Sequence, residues 1–270
     1  MKLAVNEMGN KAKNLLLLKN SYNVPSFFSI SSKEIYEILE KIGISKNEIN
    51  KAFDNGSKNR QLIRDKINKS RLNLNFLNLK ELDKKLIIRS SALGEDGKKH
   101  SFAGIYESKI TENNKQFEED FKYVLSSAFS ERVWNYCKLI DMNTFPEISL
   151  IVQNYIDPEY SGITFTQTEY DNKKGMLINA VRGCGENAVQ GKGVSEIFIQ
   201  DNKVPKNNIP NKILKEVAQS CRKIESYFNE PQDVEWCYTD DKLWILQSRA
   251  ITKNVHEQIN VWDNSNIAES

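Results

Sequence analysis

Gln232-Asp233-Val234-Glu235-Trp236-Cys237-Tyr238 and Leu243-Trp244-Ile245-Leu246-Gln247-Ser248-Arg249, separated by Thr239-Asp240-Asp241-Lys242, decide how this chain is read. Both runs are rich in aromatic and branched residues and the spacer is turn chemistry, which predicts a β-hairpin. Side chains alternate along a strand, so Asp233, Glu235 and Cys237 share one face while Val234, Trp236 and Tyr238 share the other. On the returning arm Leu243, Ile245, Gln247 and Arg249 fall together. A slip of one residue reverses the faces, so Glu235 meets Gln247 only across a loop with an odd number of residues, such as a bulged three-residue turn. The expected register sets Glu235 opposite Gln247 and Asp233 opposite Arg249. A carboxylate, an amide oxygen and a guanidinium then gather at the open end of an otherwise apolar hairpin. Hard oxygen ligands suit Mg²⁺, which keeps waters and phosphate oxygens as its other ligands, and the planar fork of arginine matches a phosphate. Taken alone, a hairpin whose charges face water is the competing account.

Working outward, Pro210 opens an amphipathic helix with Ile213, Leu214, Val217, Cys221, Ile224 and Phe228 on one face, leading into the hairpin. Before it come strands at Ile148 to Ile156, Tyr160 to Thr166 and Gly175 to Val181, then the glycine-rich Arg182-Gly183-Cys184-Gly185-Glu186 and a returning strand from Ser195 to Ile199. The glycines permit close backbone approach to a ligand, although their spacing is neither a P-loop nor a dinucleotide fingerprint. Apolar positions Phe117, Phe121, Val124, Leu125 and Ala128 recur at helical spacing, and a further helix carries Glu131-Arg132-Val133-Trp134.

Leu86-Ile87-Ile88-Arg89-Ser90-Ser91 reads as a strand running into an arginine and a polar loop, which suits a phosphate clamp as well as it suits a structural ion pair. Capping boxes at Ser31 to Glu34 and Ser45 to Glu48 each open a helix, with Gly43 and Gly56 as stops, so residues 31 to about 84 are expected to be mainly helical. Gly9-Asn10-Lys11 precedes a leucine-rich helix, which puts Lys11 near a helix start, where it can reach an anion. A solvated lysine is the plainer account of that residue by itself.

At 270 residues the chain can bury a large domain or two joined lobes. With 38 basic and 36 acidic residues its net charge is only +2, which argues against a nucleic-acid or membrane-surface role from electrostatics. The cysteines Cys137, Cys184, Cys221 and Cys237 show no C-x-x-C spacing, so a reduced, cytoplasmic chain without a zinc site or disulfide framework is expected. No signal peptide or membrane span is legible.

Six motifs occur in order: Gly9-Asn10-Lys11; Val24-Pro25 with Phe27-Phe28; Arg89-Ser90-Ser91-Ala92 through to Ser101-Phe102-Ala103-Gly104; Ser161-Gly162 with Phe165-Thr166; Gly183-Cys184-Gly185-Glu186; and the hairpin itself. Together they resemble the nucleotide-binding domain of the phosphoenolpyruvate synthase and pyruvate phosphate dikinase family, over nearly the whole chain. The resemblance implies an α+β, ATP-grasp fold, two lobes of antiparallel sheet plus helices enclosing a nucleotide cleft. It implies ATP and Mg²⁺ as ligands, with Lys11, Arg89 and Arg132 on the triphosphate, Gln153 near the adenine and Glu186 near the ribose. Glu235 and Gln247 would bind the metal, and Arg249 with Asp233 would set the transferred phosphate. Lys11, Arg89 and Arg249 are then the catalytic set, because phosphoryl transfer is mainly positioning and charge neutralisation.

In that family a histidine on a separate mobile domain takes the phosphate first. Neither His100 nor His256 has a matching context, so the expected organisation is a nucleotide-binding domain over residues 1–255 and, from 256 to 270, the start of a linker toward a carrier and an acceptor-binding domain beyond Ser270. Departures at Lys98-Lys99, Ser195-Glu196, Ser248 and Ala250 leave the nucleotide residues in place and weaken pyruvate as the acceptor. An amide or hydroxyl compound stays open. A non-catalytic nucleotide-binding module and a free-standing ATP-grasp ligase remain as alternatives.

Overall fold

The computed structural model describes residues 8–251 except 55, 75, 78, 80, 81, 83, 84, 92–104, 114, 171–172, 185–193 and 201–204. The chain forms two compact units, one of Met1–Lys13 with Ser26–Tyr155, the other of Asn14–Pro25 with Ile156–Ser270. The start of the linker expected at 256–270 lies outside the described residues. Among those residues no helix is long and apolar enough to cross a membrane.

The first unit is built on a four-stranded antiparallel sheet. Its strands are β1 (Phe27–Ile30), β2 (Leu86–Ser90), β3 (Ser108–Thr111) and β4 (Leu150–Asn154), in the order β1-β4-β2-β3. Alternation along each strand sends Ile30, Leu86, Ile88, Leu150 and Val152 to one face, where they join a core with side chains of five helices. These are α2 (Ser32–Lys41), α3 (Lys46–Asp54), α4 (Ser57–Lys69), α5 (Phe117–Ser127) and α6 (Glu131–Leu139), after an initial α1 (Asn10–Leu18). Phe53, Phe121 and Phe129 are fully enclosed there, each burial worth roughly 1.5–3 kcal/mol.

The two expected capping boxes are present. Ser31 Oγ accepts from Glu34 N while the Glu34 carboxylate accepts from Ser31 N, and Ser45 and Glu48 repeat the exchange. Gly43 follows α2 at φ 74° and Gly56 precedes α4 at φ 92°, left-handed positions that spare glycine any Cβ clash. The helical expectation to about residue 84 needs correction. Helix α4 ends at Lys69, Ser70 is extended, and no α-helix follows among the described residues before β2. Beyond the helix end Leu72 N donates to Glu118 Oε1 of α5 at 2.8 Å, where a continuing helix would use its own carbonyls.

The second unit carries a five-stranded antiparallel sheet of β5 (Tyr160–Tyr170), β6 (Lys173–Arg182), β7 (Ser195–Ile199), β8 (Gln232–Thr239) and β9 (Lys242–Ala250), ordered β7-β6-β5-β8-β9. Helix α7 (Asn211–Phe228) covers one face, packing Leu214, Val217, Cys221 and Ile224 against Ile178, Ile197, Val234, Trp236 and Ile245. Pro210 stands at its N-cap, as the sequence suggests, and Asn229 ends it in the left-handed conformation. Trp236 is completely buried and donates its indole N–H to Thr164 Oγ1 at 2.9 Å, so its polar atom is satisfied inside the core. The class is therefore α+β, two antiparallel sheets plus helices.

Candidate functional site

The hairpin carries the expected pairs. Glu235 lies opposite Gln247 and Asp233 opposite Arg249. The route to that register differs from the expected odd loop. Thr239 pairs with Lys242 across a two-residue turn in which Asp240 and Asp241 both have positive φ, the tight turn that suits the twist of a hairpin. The extra residue sits inside β9 instead, where a bulge lets Glu235 pair with Gln247 while its neighbour Trp236 pairs with Ile245. Leu243 and Ile245 therefore stay on the buried face with Trp236 and Tyr238, and of these four alternate residues only Gln247 and Arg249 share the face of Asp233 and Glu235. The expectation that all four of β9's alternate residues lie together is corrected by that bulge.

On this face Arg249 donates from Nε and Nη2 to Asp233 Oδ2 at 2.9 and 2.7 Å. Glu235 and Gln247 are 4% and 2% exposed, so this cross-strand pair is largely shielded from water. The fit to Mg²⁺ is good in type: a carboxylate and an amide oxygen are hard ligands. Among the described residues no three His, Cys, Asp or Glu side chains gather into a cage. A cation held by this pair would take the rest of its shell from water and phosphate oxygens. Ser248, between them, faces the other way and donates to Gln232 Oε1 at 2.8 Å, while its carbonyl accepts from Asn14 Nδ2 at 2.8 Å. The edge strand β9 is thereby tied down at the residues that carry the polar set.

The first unit has a polar sheet face of its own. Register places Ser29, Ile151, Arg89 and Ser108 in one row across the four strands, and Phe27, Gln153, Ile87 and Ile110 in the next row on the same face. Arg89 and Gln153 are 2% and 1% exposed. Gln153 Nε2, Ser29 Oγ and Ser108 Oγ are enclosed without a hydrogen-bond partner. Buried polar atoms are satisfied in the great majority of cases, so three such atoms on one face make it a candidate ligand surface. Lys11 is also buried, on the first turn of α1. Its position is set by Gly9, whose N–H donates to Ser149 Oγ at 3.2 Å while Ser149 Oγ donates to Ser91 O. A Cβ at Gly9 would run into the Ser91 carbonyl, which explains the glycine before this lysine.

Arg132 has a different environment from the other candidate cations. It is exposed on α6 and lies 3.8 Å from the Glu107 carboxylate. Glu186, the polar loop 92–104 and both histidines fall outside the described residues. Asn179 of β6 was missed by sequence reasoning. It shares the sheet row of Glu235 and Gln247, and its signal was an amide interrupting the apolar run Met176-Leu177-Ile178-Asn179-Ala180-Val181.

The pyruvate phosphate dikinase AMP/ATP-binding domain family matches residues 5–202 and 192–266. The chain belongs to this family. An uncharacterized phosphotransferase, YvkC, of Bacillus subtilis (strain 168) is 27% identical over 285 residues, covering 90% of this chain and 33% of the relative. A rifampicin phosphotransferase of Bacillus cereus is 29% identical over 200 residues, covering 61% of this chain and 23% of that protein. A probable phosphoenolpyruvate synthase of Methanocaldococcus jannaschii is 30% identical over 203 residues, covering 61% and 17% respectively. The chain thus spans a third or less of the curated relatives it matches. Among solved structures, a D-alanine–D-alanine ligase from Bacillus anthracis complexed with ATP shows 12% identity and a TM-score of 0.45, covering 89% of this chain and 54% of that one.

Proposed function

We propose that this chain is the Mg-ATP-binding part of a dikinase-type phosphotransferase, which phosphorylates a histidine on a separate carrier domain for onward transfer to a small-molecule acceptor. The observation that carries the reading is the paired set on the hairpin, Glu235 with Gln247 and Asp233 with Arg249, in a chain of an AMP/ATP-binding family. In this reading residues 1–255 form the nucleotide-binding domain and the chain from 256 leads onward to the carrier.

Lys11 and Arg89 neutralise the triphosphate, and their burial strengthens that attraction because little water screens it. Arg132 reaches the phosphates by exchanging its exposed contact with Glu107. Gln153 supplies its unpartnered amide N–H to an adenine nitrogen, and Glu186 takes the ribose. Glu235 and Gln247 hold Mg²⁺, which draws charge from the phosphate oxygens when bound. Arg249, oriented by Asp233, acts on the transferred phosphoryl group. The acceptor is pyruvate or another small molecule such as an amide or hydroxyl compound.

Calorimetric titration with ATP, with and without Mg²⁺, tests the reading beside Glu235→Ala. Binding that depends on magnesium and weakens in the variant supports it. A folded protein that binds no nucleotide under either condition overturns it.

A further inference from the structure

At the turn end of β8, Cys237 continues the face of Asp233 and Glu235 and lies directly opposite Ser161 of β5. Residues opposed in this way point to one face with Cβ atoms about 4.5–5.5 Å apart. The Ser161 hydroxyl donates to the Gly183 carbonyl at 2.7 Å. Gly183 N donates to Glu159 O at 2.7 Å, and Glu159 N donates to Tyr238 O at 3.0 Å. Gly183 is thereby fastened, through Ser161 and Glu159, beside Cys237 and Tyr238. Its φ of 84° turns the chain out of β6, and the next residue is Cys184. Burial raises the Cys237 thiol and the nearness of Cys184 raises it further, so the two sulfurs sense one another.

The other two cysteines are placed elsewhere. Cys137 belongs to the core of the first unit, and Cys221 of α7 packs with Trp236 on the opposite face of the second sheet. Of the four, Cys184 alone is partly exposed, while Cys237 is 1% exposed. An oxidant arriving from water therefore meets Cys184 first, and the thiol beside it is Cys237. An oxidised cysteine sulfur condenses with a neighbouring thiol, so exposure of one partner and adjacency of the other are what this chemistry needs.

We propose that Cys184 and Cys237 form an oxidative modification site, in which hydrogen peroxide converts the two thiols into a reversible disulfide. The Cys184 thiolate attacks one peroxide oxygen and the O–O bond breaks. The departing hydroxide takes up the proton that Cys184 gave to solvent, and Cys184 is left as a sulfenic acid. The Cys237 sulfur then attacks the Cys184 sulfur, so that the S–S bond forms and the S–O bond breaks. That second hydroxide leaves as water with the Cys237 proton. Both sulfurs are oxidised and the peroxide is reduced to water. A disulfide joins Cα atoms about 4.4–6.8 Å apart, and the fastening of Gly183 to Ser161 is what holds Cys184 in reach of Cys237. The closed bridge ties the glycine-rich turn to β8 two positions from Glu235, whatever ligand that face binds.

The test treats the folded, reduced protein with hydrogen peroxide, blocks the remaining thiols with N-ethylmaleimide in denaturant, and reads intact mass and a digest. The reduced protein takes up four maleimides, one for each cysteine. The expected result after peroxide is two, with a single cross-linked peptide that joins Cys184 to Cys237 and that dithiothreitol separates. Cys237→Ala is expected to stop at a sulfenic acid, trapped on Cys184 by dimedone, and Cys184→Ser to form no bridge. Cys184 is partly exposed, so Cys184→Ser keeps the test open if Cys237→Ala does not fold. A parent that accumulates oxidised Cys184 while Cys237 still takes up maleimide would overturn the proposal. So would a bridge to Cys137 or Cys221, a bridge between two copies of the chain, or four maleimides on the parent after treatment that fully oxidises glutathione.

Discussion

Arg249 and Asp233, opposite each other on β9 and β8, are joined through two guanidinium N–H groups to one carboxylate oxygen, with side chains only 12% and 7% exposed. Two donors on one oxygen fix the plane of the guanidinium. The pair also makes each residue dependent on the other, because a buried charge without its partner is costly. Arg249→Ala is expected to lower stability by about 3–5 kcal/mol, and Asp233→Leu combined with Arg249→Met to recover most of it. Denaturant unfolding of the single and double variants checks this. A loss for the double as large as the sum of both singles would mean the pair is not coupled.

The start of α1 is a second point where stability and ligand binding separate. Gly9→Ala forces the backbone away from Ser91 O, to which no flexible side chain can yield, and shifts Lys11 with it. The expected outcome is a folded protein whose ATP affinity falls by about tenfold, since small misplacements of a positioned charge are costly. Gly56→Ala meets nothing within 4 Å and is strained only by its φ of 92°, so it should cost stability and leave ATP affinity alone.

Gly162 lies against the edge of Trp236, whose Cζ2 would be 2.7 Å from an added Cβ, and against the Asn179 carbonyl. Overpacking of this kind costs roughly 1–3 kcal/mol. Gly162→Ala should lower the unfolding midpoint, and pairing it with Trp236→Phe should not restore it, because that change also strips Thr164 of its indole donor. A restored midpoint in the double variant would show that the ring, and not the backbone contact, is what the methyl strikes.

Burial raises the Cys137 thiol to about 11 and the Cys221 and Cys237 thiols to about 12. At pH 8 these three are almost wholly protonated and inert, since the thiolate is the reactive form. Cys184 is partly exposed. Alkylation of the native protein followed by intact mass should show one fast addition, at Cys184, and three more only in denaturant. Rapid labelling of Cys221 in the native state would contradict the packing of α7 on the sheet.

Glu118 ties the chain after α4 to α5. Burial acts to raise its carboxyl, but the Leu72 N–H and the Lys122 ammonium, 3.2 Å away, outweigh that and hold it below its ordinary value of 4.5. A depressed folded value means stability that is present above about pH 4.5 and lost as pH falls through the folded value. Glu118→Gln should therefore destabilise the protein at pH 7 and flatten its loss of stability below pH 4.5. An acid limb unchanged from the parent would show that other carboxylates dominate it.

Local chemistry determined much of this protein. The Ser31 and Ser45 caps, the glycine stops, Pro210 at the head of α7 and the facing of Asp233 with Glu235 follow from rules that span one to four residues, which neighbours alone enforce. The six ordered motifs identified the family for the same reason, since each is a short contiguous run. Relations between distant segments were decided by the tertiary structure. The bulge in β9 depends on cross-strand pairing as well as on β9's own alternation, and it alone puts Gln247 and Arg249 on the face of Glu235. After α4 ends, Leu72 is tied to the carboxylate of Glu118, 46 positions away. The meeting of Asn179 with Glu196 and their alignment with Glu235 required three further strand registers. A sheet register is set by which faces bury together, and that is a property of the assembled unit that no single stretch contains.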